Sequence, residues 1–229
     1  MAPFEQLYDS SLQQPVLLWC AAVAGLTVVV SRRSTSRSVR TFGVVFSLVS
    51  LLDAWLTADH VVGIGALGSS VGVAVATAFV IAGDFRVFLF LGSATPDGEI
   101  AIDGAKIVRA GLWSLVVPIA SAAVRSFLPD APWRARATFL FYEVAFTAVM
   151  LGFLFLGRAA TPLPWGRRVA FYVIAYYALW ALADATILFP HLDAGYLLRV
   201  VANVLYYGGL LAAVSLFAPG RTASEARGV

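Results

Sequence analysis

The chain has 229 residues, 60% of them apolar or aromatic and 13% charged, with a formal net charge of +3 and a mean hydropathy of +0.85. Soluble domains are about half apolar and about a quarter charged, so this balance excludes an ordinary water-soluble enzyme. The one cysteine, Cys20, excludes a disulfide scaffold, and the small basic excess leaves no footprint for a nucleic-acid partner.

A bilayer core about 30 Å thick requires about 20 mostly apolar residues per crossing helix. Seven segments have that character in chain order: Pro15–Ser31, Thr41–Ala58, Ala66–Phe90, Ala110–Leu128, Ala137–Leu156, Val169–Phe189 and Tyr196–Ala218. They lack the alternation of barrel strands. Met1–Gln14 carries Glu5 and Asp9 without a basic start, and the first span runs directly into Arg32 and Arg33, which reads as a retained helix rather than a cleaved signal. Glycines in Val61–Gly72 obscure the start of the third span, and Leu91–Arg109, with Pro96-Asp97-Gly98, reads as a turn-rich cytoplasmic loop. The expected fold is all-α: a polytopic integral membrane protein whose seven-transmembrane-helix bundle occupies 15–218. Residues 1–14 form an extracytoplasmic segment and 219–229 a cytoplasmic tail.

Direction follows from the basic residues of the short loops. Arg32, Arg33, Arg37, Arg40, Lys106, Arg109, Arg158, Arg167, Arg168, Arg221 and Arg227 belong to one side, Arg134 and Arg136 to the other. The expectation is N-terminus out and C-terminus in the cytoplasm. One lysine against fifteen arginines suggests a GC-rich bacterial genome, hence an inner (plasma) membrane location.

Ionisable residues inside a span cost about 2.5–3.5 kcal/mol each by insertion scales and rarely face lipid. On this topology the second span brings Asp53, Thr57 and His60 to one face, and the sixth brings Tyr177, Asp184 and His191 to one face at seven-residue steps. The fifth carries Tyr142 and Glu143, the seventh Arg199, Asn203 and Tyr206, and the fourth ends at Ser121 and Arg125. All fall in the outer half of the membrane. A polar cavity is therefore expected there, with Asp53, His60, Glu143, Tyr177, Trp180, Asp184, His191, Arg199, Asn203 and Tyr206 as its substrate- or ion-binding candidates. Blander readings stand beside it. Arg125 and Arg199 snorkel to headgroups, or one of them pairs structurally with an acid; His60 and His191 are interfacial residues. Asp84 and Arg86, in Gly83-Asp84-Phe85-Arg86, form a cytoplasmic anchor of the third span. Two residues apart, they point in different directions. The stripe Ala66, Ser70, Ala74, Ala78 and Ala82 is a packing face, inside the bundle or at a dimer contact.

Asp53-Ala54-x-Leu56 with His60 reappears as Asp184-Ala185-x-Ile187 with His191. The match suggests a 3+1+3 pseudo-repeat, an order that resembles small sugar-efflux transporters, in which the site lies between the halves. That analogy concerns fold, not chemistry.

A covalently bound retinal needs a lysine in the last span, and Lys106 lies in a loop. His60 and His191 with Asp59 and Asp193 offer N and O ligands at the outer rim for a metal-dependent intramembrane hydrolase, without a tight ligand signature. Bis-histidine haem is less favoured still, since both histidines stand at or beyond helix ends, and no cofactor is expected. Cys20 has no acid or base near it in sequence and reads as a small buried residue. No nucleophile elbow or phosphate loop is present. Two functions remain: a small transporter or permease for a small molecule or proton, and a ligand sensor or accessory subunit. The expected partners are the lipid bilayer, that solute, and a second copy or another membrane protein.

Overall fold

The computed structural model describes residues 2–57, 70–155 and 163–220. His60 and Asp59, the glycines at 63, 65 and 68, Ala66, Arg158 and the tail beyond Gly220 lie outside the described residues. Among the described residues seven helices are long and apolar enough to cross a membrane, which makes the protein a multi-pass helical membrane protein. A short helix, α1 (Pro3–Tyr8), precedes them. The spans are α2 (Leu12–Ser31), α3 (Arg37–Leu56), α4 (Ser70–Ser93), α5 (Gly104–Phe127), α6 (Arg134–Phe155), α7 (Pro164–Leu188) and α8 (Ala194–Phe217).

Most of these helices begin a few residues before the apolar runs that announce them, because polar first turns lower hydropathy without breaking the helix. Ser36 caps α3 by accepting the Val39 N–H at 3.3 Å. Asp103 caps α5 by accepting the Lys106 N–H at 2.9 Å, and Pro164 opens α7, where its missing donor is harmless. That Lys106 N–H also holds the Asp103 carboxyl below the usual carboxylate range. The loop expected over Leu91–Arg109 is correspondingly shorter: α4 continues to Ser93, and Val87–Phe90 are buried helical core. Pro96-Asp97-Gly98 forms the turn itself, with Gly98 at φ 76° and Thr95 N–H bonded to Glu99 O at 2.9 Å.

Polar contacts fix which loops share an end of the bundle. At one end Arg32 donates to Leu216 O (2.6 Å), Ser36 Oγ to Gly98 O (3.0 Å) and Trp165 Nε1 to Thr95 O (3.0 Å). At the other, α1 is pinned over the start of α8. Asp193 accepts the Phe4 and Glu5 backbone N–H groups at 2.9 Å each, and Tyr196 Oη donates to Glu5. The Gln14 side chain there donates to Thr57 Oγ1 at 2.8 Å.

Among apolar helices in lipid, association rests on close packing rather than on water exclusion. Gly25 of α2 and Gly208 of α8 supply it: a Cβ on Gly25 would collide with the Gly208 carbonyl, and one on Gly208 with that of Ala21. A wide turn at Leu205–Gly209 then directs both Tyr206 and Tyr207 into the interior, a distortion found often at functional sites. The interior is strongly aromatic, with Phe88, Phe146, Tyr176 and Tyr177 in successive ring contacts.

One packing expectation needs correction: Cys20 is exposed on α2 rather than buried. Ala74 and Ala78 are exposed and Ala82 is half-buried, so of the two places expected for the stripe these alanines do not take the bundle interior. The aspartates of the sequence match, Asp53 and Asp184, have unlike surroundings.

Candidate functional site: a polar and aromatic cavity

Among the described residues, a cavity of about 230 Å³ opens toward the α1 end of the bundle. Every span except α5 contributes to its wall. Tyr8 and Gln14 lie at the α1 end, Asp53 and Thr57 come from α3, Tyr142 and Glu143 from α6, Tyr177 and Trp180 from α7, and Arg199, Asn203, Tyr206 and Tyr207 from α8. Of the ten candidates drawn from the sequence, the structure brings Asp53, Glu143, Tyr177, Trp180, Arg199, Asn203 and Tyr206 to this one wall.

Asp184 and His191 sit elsewhere, and His60 lies outside the described residues. Asp184 is fully buried behind the wall, where Arg199 Nη1 bonds its Oδ1 and Arg136 Nη1 reaches the same oxygen at 2.9 Å. Arg199 Nη1 also stands 3.6 Å from Glu143 Oε1, while its Nε donates to Tyr8 Oη at 3.1 Å. Two acids and two arginines thus neutralise one another across α6, α7 and α8. The reason is geometric: α6 and α7 pack side by side, so Arg136 faces Asp184 across the interface. Counted from the sequence as a loop charge, Arg136 is a member of this network. Arg125 is not; its side chain is exposed near the end of α5. His191 is exposed in the α7–α8 turn at φ 54°, beside a separate groove lined by Trp133, Arg136 and Phe189.

The larger correction concerns Asp84 and Arg86, which are buried at 1% and 2% exposure and are no cytoplasmic anchor. Asp84 stands about 14 Å along α4 from Ser93 at 1.5 Å per residue, near mid-span. It accepts Oη–H bonds from Tyr142 and, at 2.6 Å, from Tyr177. Arg86 turns the other way, donating to Ser50 Oγ at 2.7 Å and Tyr206 O at 3.0 Å, with its guanidinium 4.2 Å from the Tyr206 ring centre. The expected divergence of the two side chains is what lets one helix tie α6 and α7 on one flank and α3 and α8 on the other. Gly83 completes the motif: a Cβ there would strike the Tyr206 hydroxyl.

Asp53 lines the cavity beside its partners Thr57 and Tyr207. Trp180 Nε1 donates to Asn203 Oδ1 at 2.9 Å. Glu143, 4% exposed, keeps Oε2 without a hydrogen-bond partner. Among the described residues no group of three or more His, Cys, Asp or Glu side chains is placed to hold a metal ion.

Comparison with protein-family models, with curated proteins and with solved structures gives no match. The fold itself defines the class, an integral membrane protein with seven apolar membrane-length helices among the described residues.

Proposed function

We propose that the protein is a small transporter or permease whose substrate occupies the cavity at the α1 end of the bundle, with that end extracytoplasmic. The observation that carries this reading is the convergence of six membrane spans on one cavity holding two carboxylates, Asp53 and Glu143, and an arginine, Arg199. Ionisable residues inside a span are rare and costly, and those that face a cavity mark ion and proton pathways. Asp53 and Glu143 serve as proton or cation sites, and Asp184 holds Arg199 in place. A change in the charge of Glu143 alters what Arg199 must neutralise, and so biases α6 against α8. The orientation rests on the excess of arginine in the loops at the opposite end, which are held together by the Arg32, Ser36 and Trp165 contacts.

One observation favours the other reading, a ligand sensor or accessory subunit: Asp184 is closed by two arginines instead of facing the cavity. Purified protein in liposomes with an imposed pH gradient separates them. Gradient-driven uptake from a panel of small solutes, lost in Asp53→Asn and Glu143→Gln, supports transport. Absence of uptake across the panel, with solute binding retained, supports the sensor.

A further inference from the structure

We infer that the cavity selects a small organic cation of the quaternary or tertiary ammonium class. The assignment rests on the reading of this cavity as a ligand site and adds the chemistry of its occupant.

The argument starts from which polar groups remain free to meet a ligand. The donors of the wall are largely spent on the protein. Tyr142 and Tyr177 give their hydroxyl protons to Asp84, Trp180 gives its N–H to Asn203, and Arg199 is engaged by Asp184, Glu143 and Tyr8. One carboxylate of the wall remains without an ion pair: Asp53 lines the cavity, accepts hydroxyl bonds from Thr57 and Tyr207, and forms no salt bridge among the described residues. An anion would meet spent donors and the Asp53 carboxylate. A cation meets that carboxylate and π faces.

Those faces are contiguous. The rings of Tyr177 and Trp180 stand 5.4 Å apart, Trp180 and Tyr206 5.2 Å, and Tyr206 and Tyr207 5.0 Å. These rings pack against one another along the wall, and an aromatic face attracts a quaternary ammonium group through the ring quadrupole. The protein already uses one of these rings in this way, with Arg86 over Tyr206. A volume of about 230 Å³ falls below the roughly 300–1,000 Å³ of drug-sized sites, so the occupant is small. A quaternary ammonium also needs no acceptor in a fixed direction, which suits a wall whose free groups are charge and π density.

The test is calorimetric titration of the full chain in nanodiscs with choline and with its neutral isostere 3,3-dimethylbutan-1-ol. Choline is expected to bind saturably and at least ten-fold tighter than the isostere. Asp53→Asn weakens choline at least ten-fold without changing the isostere; Trp180→Phe retains binding and Trp180→Leu loses it. Equal affinity for the two probes, choline binding indifferent to Asp53→Asn, or no saturable choline binding overturns the inference. Unchanged affinity for the isostere guards against misfolding of the variant. The transport reading fails separately: choline binding without uptake into liposomes sinks transport and leaves the cation assignment standing, and uptake of neutral solutes without choline binding does the reverse.

Discussion

Arg199 of α8 bonds Asp184 of α7 through the same nitrogen that lies 3.6 Å from Glu143 of α6. Three helices are therefore joined at one guanidinium, and its removal leaves Glu143 without its ion-pair partner. Arg199→Met is expected to destabilise the fold by about 3 kcal/mol, the scale for breaking a buried pair from one side. The double variant Arg199→Met with Asp184→Asn recovers part of that loss. Thermal unfolding of both variants and the parent in the same detergent checks it, and an Arg199→Met protein as stable as the parent contradicts it.

Asp84 is held in mid-span by two tyrosine hydroxyls. Asp84→Leu leaves both donors without an acceptor, whereas Asp84→Asn keeps one acceptor oxygen. Leu is expected to cost more than Asn, and Tyr177→Phe alone about 1 kcal/mol, near the values measured for hydrogen bonds between membrane helices. Denaturant titration in mixed micelles gives the order, and a leucine variant equal to the parent removes Asp84 from the interhelical network.

Close approach of α2 and α8 makes a sharper steric prediction. Gly25→Ala and Gly208→Ala each place a methyl group against backbone carbonyls that cannot rotate away, at about 1–3 kcal/mol apiece. Gly92→Ala, in the last turn of α4, meets nothing within 4 Å and serves as the control, expected neutral or slightly stabilising. Similar melting temperatures for all three glycine variants dispose of the contact.

The short helix α1 covers the cavity end through Tyr8 and is tethered by Asp193. Asp193→Ala removes the acceptor of two backbone donors, so α1 is expected to lift more often. In a Cys20→Ser background with Val80→Cys as reporter, the rate of labelling by a water-soluble maleimide rises several-fold. An unchanged rate shows that α1 does not guard the cavity.

Much of this architecture was legible in one dimension because membrane crossing is a local property. A run of apolar residues must form its own backbone hydrogen bonds in lipid, so the seven helices can be read without knowing their neighbours. Glu143, Tyr177, Arg199 and Asn203 were legible in the same way: polar residues are costly at depth and must turn inward. The reading failed where meaning depended on which helices touch. Asp84 and Arg86 looked terminal, since their partners Tyr142, Tyr177, Ser50 and Tyr206 lie on four other helices. The one available signal was the apolar run Val87–Gly92 beyond them, which places the pair inside a span.

By itself the sequence determined the class of protein, the crossings and the polar residues that needed an explanation, because hydropathy and helix period act within a single segment. Only the tertiary structure decided that Arg136 closes on Asp184, that Tyr206 and Tyr207 share the interior through a widened turn, and that α1 folds back over the site. Those outcomes depend on distances between segments far apart in the chain, and side-chain partnership in a dry interior is set by such distances rather than by residue type.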